Sequence, residues 1–183
     1  MKEAPTPLNE AARLAALRAI GLLDTPSEAR FDRFVRLAKA LCDVPIAVIS
    51  LVDANRQWFK GCDGLAVSET PRRVSFCAHA IHEQGVFYIP DASADERFAD
   101  NPLVTGEPHI RFYAGAPVFV PGGLAIGTLC VIDRRPRAFD MNQLQALRDL
   151  ADCLQREVAL QLLLTEVTAV RDSRALATLI GDV

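Results

Sequence analysis

No run of apolar residues in this 183-residue chain approaches the roughly 18–20 that a helix needs to cross a bilayer. The opening stretch, MKEAPTPLNEAARLAALRAIG, lacks the uninterrupted apolar core of a signal peptide. Basic residues are not in excess either, with 20 Lys and Arg against 23 Asp and Glu for a net charge of −3. That balance argues against a nucleic-acid binder and against a polybasic membrane-surface protein. Internal repeats and low-complexity segments are missing. Cysteines are few and odd in number, 5 in all at positions 42, 62, 77, 130 and 153, too scattered for a disulfide framework. They read as reduced, mostly buried thiols, and the expected location is the cytoplasm.

Half of the residues (50%) are apolar and 23% are charged, enough to bury the core of one ordinary domain. Residues 9–20 place Ala11, Leu14, Leu17 and Ile20 at helical spacing, with Gly21 as the stop. Thr25-Pro26-Ser27-Glu28 reads as a capping box opening a second helix, with Phe31, Phe34, Ala38 and Leu41 as its apolar face. The run Ile46 to Val52 is apolar on both alternating faces, which predicts a strand covered on both sides. After the turn Asp53-Ala54-Asn55, Arg56 to Lys60 returns as its hairpin partner, and residues 62–74 read as a loop. Ser75 caps a short helix over residues 76–82, and residues 86–89 form a short strand. Residues 91–109 are a polar insert. Within it Ser93-Ala94-Asp95-Glu96 reads as another capping box, predicting one or two helical turns over 95–100 that Asn101-Pro102 closes. Strands over 110–120 and 124–133 flank the turn Pro121-Gly122-Gly123, and Asp140 caps a long helix running to about Arg171. The expected class is α+β, with a mostly antiparallel central sheet of five or six strands, helices packed on it and a long C-terminal helix.

Several of these pieces resemble the GAF domain, in the subtype found in bacterial sensor histidine kinases and diguanylate cyclases. They include Gly21-Leu22-Leu23-Asp24-Thr25-Pro26, Ile49-Ser50-Leu51-Val52-Asp53 and Arg56-Gln57-Trp58-Phe59-Lys60. Ser75-Phe76-Cys77-Ala78-His79-Ala80-Ile81, Asp95-Glu96-Arg97-Phe98, Asn101-Pro102-Leu103-Val104, residues 111–117 and Gly127-Thr128-Leu129-Cys130-Val131-Ile132-Asp133 extend the match. The resemblance implies a GAF fold over residues 9–158 with a pocket under the polar insert. It leaves residues 1–8 as a disordered or loosely packed N-terminus and 159–183 as a helical extension, either linker or coiled coil. It does not name a ligand, because one fold hosts many.

Cys77, His79 and His82 crowd one segment, but residues 77 and 79 diverge by about 200° on a helix and no second cluster completes a coordination sphere, so no metal is expected. Phytochrome-type GAF domains attach a bilin through a cysteine next to a histidine, and here Ala78 separates the two. The Asn-Lys and Phe-x-x-x-Asp-Glu pattern of cyclic-nucleotide-binding members finds only Asn55-Arg56 as an echo. Free methionine sulfoxide reductases are GAF proteins that use paired cysteines; Cys77 lies roughly where one of theirs falls, and Cys62 is the only plausible second thiol. The polar insert is the candidate small-molecule site, with Asp91, Asp95, Arg97, Asn101 and Arg111 as polar groups and Phe98 and Tyr113 as aromatic walls. Trp58, Phe76, Cys77 and His79 complete the candidate set. The bland alternative for the same residues is that Arg97 and Arg111 pair with Asp91 or Asp95 and pin the loop.

Beyond the domain, Leu160, Leu163, Val167 and Val170 follow the 3-4-3 spacing of a coiled coil, which predicts a homodimer through the terminal helices. The reading is therefore a non-catalytic sensory or regulatory domain that binds a small molecule, has no cofactor required by the sequence, and relays signal through its terminal helices to a kinase or cyclase output in an attached or partner protein. A thiol-dependent reductase using Cys77 and a purely structural dimerisation module are the competing classes.

Overall fold

The computed structural model describes residues 1–181, with side chains described through residue 171. Its helices are α1 (Glu10–Ala19), α2 (Ala29–Cys42), α3 (Phe76–Ala80), α4 (Pro102–Thr105) and α5 (Met141–Gly181). The strands are β1 (Ile46–Val52), β2 (Arg56–Asp63), β3 (Glu69–Pro71), β4 (Phe87–Ile89), β5 (Phe112–Val120) and β6 (Leu124–Asp133). They form one antiparallel sheet in the order β3-β2-β1-β6-β5-β4, so the α+β architecture is as expected.

β1 lies inside the sheet and is buried along its whole length, which explains its doubly apolar sequence. Ala47, Ile49 and Leu51 join Leu17 of α1, Phe31 of α2 and Leu147 of α5 in one core. Ile46, Val48 and Val52 face the other way, into a second core with Phe76, Phe98 and Tyr113. β1 and β6 approach so closely that a Cβ at Gly127 would stand 1.9 Å from the Ser50 carbonyl oxygen. On the other side of β6, Tyr113 folds its ring across Gly115, where a Cβ would meet the tyrosine hydroxyl at 2.2 Å.

Local signals misplace several boundaries. α2 starts at Ala29, not after Thr25, and no side chain caps it. Thr25 Oγ1 instead donates to the Leu22 carbonyl (2.7 Å), and Glu28 pairs with Lys60 Nζ at 2.6 Å. The buried face of α2 is Phe31, Val35, Ala38 and Cys42, whereas Leu41 is exposed. The expected loop over 62–74 begins as the end of β2 and contains β3 and a 3-10 turn at Arg72–Val74. Residues 95–100 form hydrogen-bonded turns rather than helix: Ser93 donates to Asp91 Oδ1 and does not cap, and Glu96 pairs with Lys2. Asn101 opens α4 instead of closing a helix, its Oδ1 accepting from Leu103 N at 2.9 Å.

The N-terminal segment, expected to be loose, lies hydrogen-bonded on the domain. Lys2 N donates to the Arg97 carbonyl (3.0 Å), the N-terminal amine pairs with Asp100, and the Nε2 groups of His79 and His82 donate to the Lys2 and Pro5 carbonyls at 3.1 and 2.9 Å. Ser75 caps α3 as expected, accepting from Ala78 N.

α5 opens with a reciprocal cap: Asp140 Oδ1 accepts from Gln143 N (2.8 Å) while Gln143 Oε1 accepts from Asp140 N (3.1 Å). The helix runs past Arg171 to Gly181. Leu147, Ala151, Leu154 and Val158 are buried; Leu160, Leu163, Leu164, Val167 and Val170 are exposed. At this transition Arg30 donates to Glu157 and Gln161, and Thr165 Oγ1 donates to the Ile20 carbonyl at 3.3 Å. These bonds clasp α5 to α2 and to the end of α1.

Candidate functional site

A cavity of about 440 Å³ lies between the α3-side face of the sheet and two covering segments, residues 64–67 and 103–110. Its floor is built by strand alternation: Val48 of β1, Phe59 of β2, Tyr113 of β5 and Cys130 with Ile132 of β6 all point to this face. Leu65, Ala66 and Val67 form one wall; Leu103, Pro108 and Ile110 form the other. Polar groups are sparse. Gln57 donates to Thr70 Oγ1 (2.6 Å) on one side, and exposed Glu107 and Arg134 stand where Arg134 Nε donates to the Pro108 carbonyl. The volume lies within the range of small-molecule pockets, and apolar walls with few directional groups suit a largely apolar occupant.

Two thiols meet at the floor. Cys77 Sγ on α3 lies 3.9 Å from Cys130 Sγ on β6, and the Tyr113 hydroxyl donates to Cys77 Sγ at 3.3 Å. Behind them Ser50 and Ser75 donate to Gln57 Oε1, at 3.3 and 2.5 Å. The Thr128 hydroxyl is fully buried beside them and makes no hydrogen bond among the described residues. Burial pushes the Cys77 thiol up, but contacts from Cys130, Thr128, Tyr113 and Ser50 outweigh it and hold the group below its ordinary value. Cys130 is driven well above its ordinary value, first by its contact with Cys77 and then by burial. The pair therefore loses one proton readily and the second with difficulty, as two close like charges require.

The candidate residues divide sharply. Phe76, Cys77 and Tyr113 line the cavity. Trp58 does not: its side chain is buried on the opposite face, in the core under α1, α2 and α5. Phe98, buried beneath the first half of the insert, stacks on Phe76 at 4.1 Å. His79 packs edge-on against Phe98 at 4.9 Å, and burial lowers its pKa.

The charged members of the insert serve the loop. Arg97 pairs with Asp95 (2.6 Å), holds that carboxyl below its usual range, and lays its guanidinium over Phe87 at 5.0 Å. Asp91 accepts from Ser93. Asn101 Nδ2 donates to the Val74 carbonyl (3.0 Å), and Arg111 Nη1 donates to the Val104 carbonyl (2.9 Å). Only the second half of the insert, from Leu103 onward, borders the cavity. Sequence reasoning missed the 64–67 wall, which carries no motif, and the partner of Cys77. That partner is Cys130 and not Cys62, whose Sγ instead faces the Leu65 carbonyl. Among the described residues no group of three or more His, Cys, Asp or Glu side chains could hold a metal ion, and no helix is long and apolar enough to cross a membrane.

The GAF domain family model matches residues 26–158. A cyclic di-GMP phosphodiesterase of Pseudomonas aeruginosa is 49% identical over 137 residues, which is 75% of this chain but only 23% of that protein. Among solved structures, the GAF domain of an Acinetobacter phosphoenolpyruvate-protein phosphotransferase superposes with TM-score 0.61 at 23% identity, over 81% of this chain and 93% of that one. Free methionine-R-sulfoxide reductase from Neisseria meningitidis superposes with TM-score 0.59 at 18% identity, over 88% and 98%. At these identities the structural likeness establishes the fold.

Proposed function

The chain belongs to the GAF domain family, and from that membership we propose that it is a non-catalytic regulatory module, of the kind attached to kinases and cyclic-dinucleotide enzymes, that binds a small, mainly apolar molecule. The observation that carries this reading is the cavity of about 440 Å³ with apolar walls and a Gln57–Thr70 hydrogen-bonding edge. A ligand there would press on the 64–67 and 103–110 walls and shift their packing on the sheet. α5, clasped to α1 and α2, would carry the change to a second copy and to an output domain. The exposed stripe Leu160, Leu163, Val167 and Val170 keeps the spacing of a parallel two-stranded seam, so the partner we assign to it is a second copy of the chain. The match covers 23% of the phosphodiesterase relative, which leaves room in that protein for further domains. A cyclic dinucleotide is a poor fit to the cavity itself, whose lining offers Arg134 as its one cation for two phosphates.

The test is a thermal-shift screen of the purified protein against aromatic and medium-chain acids, amino acids, nucleotides and tetrapyrroles. Members with an apolar body should raise Tm. The shift should vanish in Ala66→Trp, which fills the mouth, and persist in Asp95→Ala, which lies away from the cavity. No shift with any member would leave a purely structural dimerisation module, and a shift indifferent to Ala66→Trp would place the site elsewhere.

A second reading, a thiol-dependent reductase of the free methionine sulfoxide type, draws support from Cys130 as a possible resolving thiol 3.9 Å from Cys77. It requires the protein alone, with a dithiol reductant, to consume methionine sulfoxide, and Cys77→Ser to abolish this.

A further inference from the structure

The two thiols at the cavity floor are 53 positions apart in sequence, yet the fold brings them to 3.9 Å in a space that a small molecule can enter. We propose that Cys77 and Cys130 form a redox-active dithiol, oxidised by a small hydroperoxide to a disulfide across the cavity floor. Three observations set this pair apart from buried cysteines that merely pack. The sulfurs face each other directly, with no side chain between them. Both border open volume, whereas Cys42 is sealed in the helix-side core. The Tyr113 hydroxyl is aimed at the Cys77 sulfur from a fully buried ring, a donor that favours the thiolate over the thiol.

The steps balance. The Cys77 thiolate attacks one peroxide oxygen; an S–O bond forms, the O–O bond breaks, and the departing hydroxide takes up the proton that Cys77 released. Cys77 is thereby oxidised by two electrons to the sulfenic acid, and hydrogen peroxide is reduced to water. Cys130 then attacks the Cys77 sulfur. The S–S bond forms, the S–O bond breaks, and hydroxide leaves with the Cys130 proton as a second water. Closing the bond draws the sulfurs from 3.9 Å to about 2.05 Å. Nothing in this chemistry depends on which ligand the cavity takes.

The experiment uses the full chain with Cys153→Ser, which removes the one exposed thiol and the crosslinking it would support. The reduced protein is treated with one to two equivalents of hydrogen peroxide, alkylated under denaturing conditions, digested and mapped by mass spectrometry. The expected product is a Cys77–Cys130 disulfide, reversed by dithiothreitol, with Cys42 and Cys62 alkylated as before. Cys130→Ser should trap a dimedone adduct on Cys77, and Cys77→Ser should leave Cys130 unoxidised. Tyr113→Phe, which keeps the ring and removes the donor, should slow Cys77 oxidation roughly tenfold, the loss of one hydrogen bond to a charged group. A Cys153→Ser map in which Cys77 and Cys130 stay alkylated at peroxide doses that oxidise Cys62 overturns the proposal, as does a disulfide joining any other pair. The Cys153→Ser map decides even if a further variant fails to fold. A ligand-induced Tm shift with an inert thiol pair would sink this inference alone, while a reactive pair without any ligand would sink only the ligand reading.

Discussion

Arg13 Nη1 donates to the carbonyl of Val52, 2.7 Å away, from a side chain that is only 1% exposed. The bond ties α1 to the last residue of β1, and Glu10 neutralises the buried charge at 2.7 Å, with Arg72 reaching the same carboxylate. Arg13→Ala strips the Val52 carbonyl of this donor and leaves Glu10 with Arg72 alone, so it should destabilise the fold by about 3 kcal/mol. Urea unfolding followed by the fluorescence of Trp58, buried in the adjoining core, measures it.

Glu10 also gives the fold an acid-sensitive joint. The Arg13 hydrogen bond, against a smaller opposing effect of burial and with help from Arg72, lowers its pKa from 4.5 to about 2. A depressed folded-state value means that the stabilisation is complete above pH 4.5 and is lost as pH falls toward 2. Stability curves across that window should drop by on the order of 2 kcal/mol more in the wild type than in Glu10→Gln.

Gly127→Ala should be the most damaging conservative change in the sheet. Its Cβ would fall 1.9 Å from the Ser50 carbonyl oxygen, forcing β1 and β6 apart at the centre of the sheet. A loss of about 3 kcal/mol is expected by thermal or chemical unfolding. Gly85→Ala, where nothing lies within 4 Å of the new Cβ, is the matched control and should change little.

On the projecting part of α5, Leu163→Glu and Val167→Glu place charges on a stripe that the domain does not cover. Sedimentation equilibrium should show these variants dissociating at protein concentrations where the wild type is a dimer, with Tm of the domain itself nearly unchanged. A monomeric wild type would remove the seam.

What the sequence made legible were elements whose fate is settled by their own pattern: the doubly apolar β1, the 124–133 strand, the Ser75 cap, and the long helix behind Asp140. Its failures have a common physical source. Thr25 and Glu28 form a capping box by spacing, but Lys60 arrives from β2 and engages both side chains, at 2.7 and 2.6 Å. Phe31-Phe34-Ala38-Leu41 and Phe31-Val35-Ala38-Cys42 are both acceptable helical stripes, and only the packing of α2 on the sheet chooses the second.

The cavity's walls were illegible for a similar reason. The insert's charges drew attention, yet Asp95 and Arg97 satisfy each other, and Phe98 is buried beneath them. One wall of the cavity of about 440 Å³ is Leu65, Ala66 and Val67, ordinary residues in a segment without periodicity. Cys130 was visible only as part of a strand. To see it as the mate of Cys77 requires knowing that β6 lies beside β5 and that Tyr113, Cys130 and Ile132 point the same way.

The clasp at Ile20, where Thr165 and Gln161 of α5 both donate to one carbonyl, sets the mechanics of what projects beyond it. From Thr165 to Gly181 the helix extends for roughly 24 Å beyond these bonds. A tilt of about 5° at Ile20 would therefore move Gly181 by about 2 Å. By geometry alone, a change in how α5 sits against the end of α1 would be larger at Gly181 than at its origin.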